Sequence, residues 1–174
     1  KVSPHEAWLN NLIILKFLSM SDKQWINNYF SEDELKEIQQ AADAVERNTV
    51  GEIVLSFRNK KTLLEKLYSN HELAMKDFER LEVYKTKERT GVLIFLIFEE
   101  HYFDIIGDEG IYAKIPDETW NKMEEKLKEE FRNKNYSAGV LALINEMGEV
   151  LSREFPTRAG ADNDDELQNE IVIN

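Results

Sequence analysis

The period of hydrophobic and polar positions changes several times along the chain, and each change marks an element. Ser21-Asp22-Lys23-Gln24 has the form of a capping box, with Met20 and Trp25 at the places of a hydrophobic staple, so a short helix is expected to start there. Ser31-Glu32-Asp33-Glu34 repeats the device with Phe30 and Leu35 as the staple, and Leu35, Ile38, Ala42 and Val45 follow at helical spacing to about residue 47. Asn48-Thr49-Val50-Gly51 ends that helix. From Glu52 the pattern alternates, with Ile53, Leu55 and Phe57 on one face and Val54, Ser56 and Arg58 on the other, which predicts a strand less buried than the one that follows. Thr62 to about Leu81 is again helical, in two pieces broken near Ser69-Asn70, with Leu64 and Leu67 on the apolar face of the first and Ala74, Phe78 and Leu81 on that of the second.

Val92-Leu93-Ile94-Phe95-Leu96-Ile97-Phe98 has no polar alternation, which predicts a central strand covered on both faces. Strand, helix, strand implies a parallel pair. Glu99-Glu100-His101 is short enough for a hairpin, so Tyr102 to Ile106 is expected to return antiparallel and to close on a Gly107-Asp108-Glu109-Gly110 turn. Pro116 and Asp117 open a helix carrying Trp120, Met123, Leu127 and Phe131. A last helix carries Val140, Leu143, Ile144, Met147 and Leu151 to about Arg153, and Phe155-Pro156 stops it. The expected fold is therefore an α/β class, three-layer α/β/α sandwich around a small mixed sheet with one parallel strand pair and an antiparallel hairpin strand.

Three segments follow from this pattern: an N-terminal leader and short helix over 1–30, an α/β domain over 31–156, and an acidic tail over 157–174. The 174 residues, 42% of them hydrophobic, suffice for one core. The 34 acidic against 22 basic residues leave a net charge of −12, which repels nucleic acid and anionic headgroups wherever no local basic patch intervenes. Nucleic acid is thus excluded as a partner. With no cysteine there is neither a disulfide framework nor a thiolate site. The apolar run Trp8 to Met20 is too short, and too broken by Asn10, Asn11 and Lys16, to span a bilayer, and it lacks a signal-peptide cleavage pattern. No transmembrane segment and a cytoplasmic setting are expected. The tail acids Asp162, Asp164, Asp165 and Glu166 read as a solvated charge run, lacking the glycine and distant glutamate of a calcium loop. A nucleotide role is disfavoured because the turn Arg58-Asn59-Lys60-Lys61-Thr62 has no glycine to admit a pyrophosphate.

Gly51-Glu52-Ile53, then Lys85-Thr86-Lys87-Glu88-Arg89-Thr90-Gly91-Val92-Leu93-Ile94, then Ile105-Ile106-Gly107-Asp108-Glu109-Gly110-Ile111, in that order and spacing, resemble the TPM-domain family. Pro116 with Trp120, Tyr136 with Gly139, and Phe155-Pro156 resemble further landmarks of it, over about residues 33 to 156. The tail ending Asp165-Glu166-Leu167-Gln168-Asn169-Glu170-Ile171 resembles short-form bacterial members. Thr90 stands where the family usually has Asn. The resemblance implies the α/β/α sandwich. For function it points to a family whose plant member is associated with acid phosphatase activity and photosystem II repair, and in which some relatives bind divalent cations such as calcium.

The strand directions place Glu52 and Arg89, which start their strands, at the sheet edge where Asp108 and Glu109 finish theirs. Converging carboxylates suit a hard cation, calcium more naturally than magnesium or zinc, and an arginine alongside can grip an anion or form an ion pair. Glu52, Asp108 and Glu109 are the candidate metal ligands, and Arg89 is the anion or ion-pair candidate. The same residues also fit a glycine turn with Arg89 in a satisfied ion pair, and the sequence leaves both open. His5, His71 and His101 show no paired metal-ligand spacing. Two functions follow as expectations: a divalent-cation-binding domain with weak acid phosphatase activity, and a non-catalytic module that docks another protein in membrane-protein maintenance.

Overall fold

Reciprocal capping sets the starts of two helices. Ser31 Oγ accepts the Glu34 N–H while the Glu34 carboxylate accepts the Ser31 N–H at 2.7 Å, and this reciprocal box opens helix α1 over Glu32–Asn48. Ser69 and Glu72 make the same pair at the start of α2, Asn70–Arg80. The computed structural model describes residues 23–157, 167 and 171–174. The expected helix start at Ser21-Asp22, the apolar leader and the tail acids lie outside the described residues. A 3-10 turn over Gln24–Asn28 begins at Lys23 with no side-chain cap.

Strand β1, Glu52–Arg58, pairs in parallel with β2, Gly91–Ile97, with Glu52 opposite Gly91 and Arg58 opposite Ile97. Strand β3, Tyr102–Gly107, returns antiparallel to β2, as the hairpin predicts. A two-residue strand β4, Val172–Ile173, adds a second parallel pairing on the outer edge of β1, which gives the order β3-β2-β1-β4. The sheet is thus mixed, with one antiparallel pair and two parallel pairs where one was expected. Three short or long helices complete the chain: α3 over Glu109–Tyr112, α4 over Asp117–Arg132 and α5 over Tyr136–Glu154.

The layers are unequal. Ile53, Leu55, Phe57, Val92, Ile94 and Leu96 pack on one face against Ile38 and Val45 of α1, Met123 and Leu127 of α4, and Val140, Ile144, Met147 and Leu151 of α5. On the other face Val54, Leu93, Phe95, Ile97 and Ile106 meet Leu73, Ala74 and Phe78 of α2, with Val83. The chain is an α/β/α sandwich with most of its helical cover on one side.

All seven residues of β1 are buried, and Glu52 at 7% and Arg58 at 9% leave it slightly less buried than β2, as expected, while the segment that follows it departs from expectation. The polar face of β1 is covered by α2, and Ser56 and Arg58 are satisfied there by Asp77 instead of by water. The segment after β1 is a single 3-10 turn, Glu65–Leu67, and not a packed helix, so Leu64 and Leu67 are 77% and 80% exposed. A one-turn element cannot repeat its apolar face often enough to reach the core.

Candidate functional site

The predicted corner forms where β2 starts and β3 ends. Arg89 has φ 57, the left-handed region that side chains seldom adopt, and this conformation turns the chain into β2. Hydrogen bonds fix it from both sides. The Thr90 N–H donates to Thr86 Oγ1 at 2.7 Å, and the Thr90 hydroxyl donates to the Val50 carbonyl at 2.6 Å. The Gly110 N–H donates to the Arg89 carbonyl at 3.0 Å. A Cβ on Gly110 would lie 2.4 Å from the Glu88 carbonyl oxygen and 2.7 Å from that of Arg89, so only glycine allows this approach.

The guanidinium of Arg89 is then gripped in a fork. Its Nε donates to Asp108 Oδ2 at 2.6 Å and its Nη2 to Asp108 Oδ1 at 2.8 Å, the bidentate geometry that suits arginine and carboxylate. Asp108 also caps α3, accepting the Glu109 N–H on Oδ1 at 2.8 Å. The closing residues expected to be a plain turn are thus the cap and first turn of a short helix. Glu109 adds a longer contact to the same guanidinium, 3.6 Å from Nη2. The Arg89 side chain is 45% exposed, that of Asp108 4% and that of Glu109 84%, so the clasp is buried on the aspartate side and open to water on the other. Hydrogen bonding to Asp108 pushes the Arg89 pKa further up, and the charges of Asp108 and Glu109 add to this.

Three of the four candidate residues therefore meet. Glu52 is buried at the start of β1, where its N–H donates to the Thr90 carbonyl at 3.2 Å, next to the point at which Glu46 of α1 accepts the Ile53 N–H. It does not join the ion pairs that Arg89 makes with Asp108 and Glu109. Among the described residues no group of three or more His, Asp or Glu side chains is spaced to hold a metal ion. As arranged, both Asp108 oxygens already serve the guanidinium, so the donor set is a carboxylate pair closed on an internal cation and not a ready three-ligand cage.

A second polar centre lies at the opposite end of β1. Asp77 is 1% exposed and accepts from Ser56 Oγ at 2.7 Å, from Arg58 Nη2 at 2.7 Å and from Arg80 Nη2 at 2.9 Å. Burial works to raise the Asp77 pKa, and the bonds from Arg58, Ser56 and Arg80 together outweigh it and hold the carboxyl below its ordinary range. One signal was present in the sequence: an aspartate among the apolar positions of a helix, facing the polar side of a strand. Asp104 makes a third centre, meeting His71 Nδ1 at 2.7 Å and the Tyr102 hydroxyl at 2.9 Å. Burial, followed by the charge of Asp104, pushes the Tyr102 pKa well up.

A four-stranded mixed sheet under unequal helical layers, with an arginine–aspartate clasp where the hairpin strand ends, defines an α/β sandwich with a structured edge. The sequence pattern of the TPM domain matches residues 26–150, and the chain belongs to that family. Among solved structures it is similar to the BA42 protein of the psychrophilic bacterium Bizionia argentinensis, with 29% identity and a TM-score of 0.74, over 84% of this chain and 96% of that one. The N-terminal domain of the cg2496 protein from Corynebacterium glutamicum shares the fold at 13% identity and a TM-score of 0.55, over 81% of this chain and 82% of that domain. No curated protein matches the sequence. No helix among the described residues is long and apolar enough to cross a membrane.

Proposed function

We propose that this TPM domain binds a divalent cation, calcium in preference to magnesium or zinc, at the Asp108–Glu109 corner and in exchange with Arg89. The supporting observation is that two carboxylates already converge on one positive group there. Asp108 lies within 2.8 Å of the guanidinium, and Glu109 reaches the same nitrogen from the solvent side. A hard ion that takes oxygen ligands and tolerates irregular geometry is the external cation such a corner suits, and calcium meets that description better than magnesium. Arg89 has to swing outward for the ion to enter, and its half-exposed side chain has room on the water side. The reading extends to a weak acid phosphatase activity. Arg89 is the group that would meet a phosphate, and Asp108 already holds its fork. The cytoplasmic setting expected from the sequence goes with this reading.

Calcium titration of the isotope-labelled chain, followed by amide shifts, tests it, with magnesium and phosphate as controls. Saturable shifts at Arg89, Thr90, Asp108, Glu109 and Gly110 are expected, weakened at least tenfold in Glu109→Gln. Shifts absent from that corner, or unchanged by the substitution, remove it as a cation site.

A second reading, a non-catalytic module that docks another protein, is supported by the exposed leucines that follow β1 at the far end of the sheet. The two readings concern opposite ends of β1, about 20 Å apart for a seven-residue strand.

A further inference from the structure

The two edges of the sheet are finished differently. On the outer side of β1 the chain supplies its own cover: Val172 and Ile173 pair there in parallel, and Ile171 and Ile173 pack against the larger core. Strand β3 forms the opposite edge, and among the described residues no strand lies beyond it.

The phase of the ladder shows which groups of β3 face outward. The Asp108 N–H donates to the Gly91 carbonyl at 2.9 Å, and Val92 stands opposite Gly107. Tyr102, Asp104 and Ile106 therefore turn their backbone groups toward β2, while Phe103, Ile105 and Gly107 turn theirs away. Gly107 is finished locally, its N–H donating to the Tyr112 hydroxyl. The N–H and C=O groups of Phe103 and Ile105 meet no partner beyond the strand among the described residues. Ile105 is 5% exposed, so water reaches its two groups poorly, and an unpaired backbone group held away from water is costly. Nothing over 102–107 guards this edge. It has no proline or lysine, its register with β2 runs without a bulge, and its one charge, Asp104, is held by His71 and Tyr102.

Beside the edge, on the α4 face, lies a cleft of about 240 Å³ lined by His101, Phe103, Lys128, Phe131 and Arg132. Its charge is balanced: Lys128 pairs with Glu125 at 2.8 Å, and Glu125 also feels Arg132, so charge does not choose the occupant. The backbone does. Two donors and two acceptors set along one extended line are matched by another extended main chain, and not by a lipid surface, a helix or a small anion. The rings of Phe103 and Phe131 suit an apolar side chain from that strand. A second copy of the chain fits poorly. The register that pairs both open residues about a two-fold axis sets Phe103 opposite Ile105 and Asp104 opposite its own copy, and like charges directly opposite are destabilising.

We propose that the β3 edge accepts an extended segment of another protein as an added strand, hydrogen-bonded to Phe103 and Ile105 and carrying apolar side chains at alternate positions, one of them in the cleft between Phe103 and Phe131. The site uses neither the Arg89–Asp108 corner nor the exposed leucines.

Amide exchange and amide shifts of the isotope-labelled full chain test this, with a capped peptide alternating valine and serine as the probe. In the free chain the Phe103 and Ile105 amides should exchange at least tenfold faster than those of Asp104 and Ile106. The probe should cause saturable shifts along β3 and slow the two open amides at least fivefold. Two versions of the probe, methylated on alternate backbone nitrogens in opposite phase, separate strand addition from adhesion of side chains: one should bind as the parent peptide does and the other at least tenfold more weakly. Phe103→Pro removes one outward N–H and one wall of the cleft but no ladder bond, so it should abolish the shifts; if it fails to fold, the methylated pair decides. Even exchange along β3 in the free chain, no saturable shifts, or equal binding of the two methylated peptides overturns the proposal. Protection of Phe103 and Ile105 that rises with protein concentration before any probe is added assigns the edge to a second copy and overturns it as well.

Discussion

Replacing Asp77 by Ala should be among the most damaging single changes in the chain, although it touches neither the predicted corner nor an exposed surface. Asp77 is buried, and its two oxygens collect bonds from Ser56, Arg58 and Arg80. Without it, the Arg58 side chain, 11% exposed, keeps only Glu65 as a charge partner, while the Ser56 hydroxyl loses its acceptor at the centre of the sheet. Breaking a buried pair from one side costs about 3–5 kcal/mol, and the remaining Glu65 contact argues for the lower end, about 3 kcal/mol. Arg80→Ala removes a partner of the same carboxylate, but that side chain is 49% exposed, so it should cost no more than about 1 kcal/mol. For a chain of this size about 3 kcal/mol corresponds to a fall of roughly 6–12 °C in melting temperature. Urea unfolding should show a lower midpoint at unchanged slope, since the surface exposed on unfolding is the same. The double change Arg58→Met/Asp77→Leu should recover part of the loss, because neither charge is then left buried. Equal and small effects of Asp77→Ala and Arg80→Ala would refute the argument that this ion network replaces water on the second face of β1.

The low Asp77 pKa adds a pH signature. A carboxyl depressed in the folded state contributes stability above its unfolded pKa and loses it as pH falls through the folded value, so the gap between the parent and Asp77→Asn should be steady near neutrality and narrow below about pH 4 in urea melts. At the corner, Gly110→Ala should destabilise by about 2 kcal/mol or more, since the added carbon meets two backbone oxygens that cannot turn aside, and amide shifts at Arg89 and Asp108 should report the displacement. Calcium titration against Glu109→Gln completes the set.

The central strand and its hairpin partner were legible because an unbroken apolar run of seven has few other homes than the middle of an α/β sheet. The convergence of Arg89, Asp108 and Glu109 was legible for a related reason: strand direction alone brings the start of β2 to the end of β3. Three things were not. The partner of Ser56 and Arg58 on the second face of β1 is Asp77, 19 residues on from Arg58, and although an aspartate among apolar helix positions hints at a buried partner, only the fold shows which one. The i, i+3 spacing of Leu64 and Leu67 fits a buried helix as well as a 3-10 turn that leaves both outside, since spacing reports a face and not what covers it. Strand β4 is two residues long and takes its place by pairing with a strand more than a hundred positions away, which no local pattern records.

The order of the sheet also sets a hierarchy in time. Strand β2 is paired on both sides and buried along its whole length, so its amide protons can reach solvent only when the molecule unfolds as a whole. Strand β4, with two residues on an outer edge, opens in local fluctuations that leave the rest intact. The Arg89–Asp108 clasp is tied to the first residues of β2 and therefore belongs to the slowest-opening part of the molecule. The cation proposed for this corner would have to move one side chain against a frame that does not move with it, so its speed of exchange would be set by the swing of Arg89 alone.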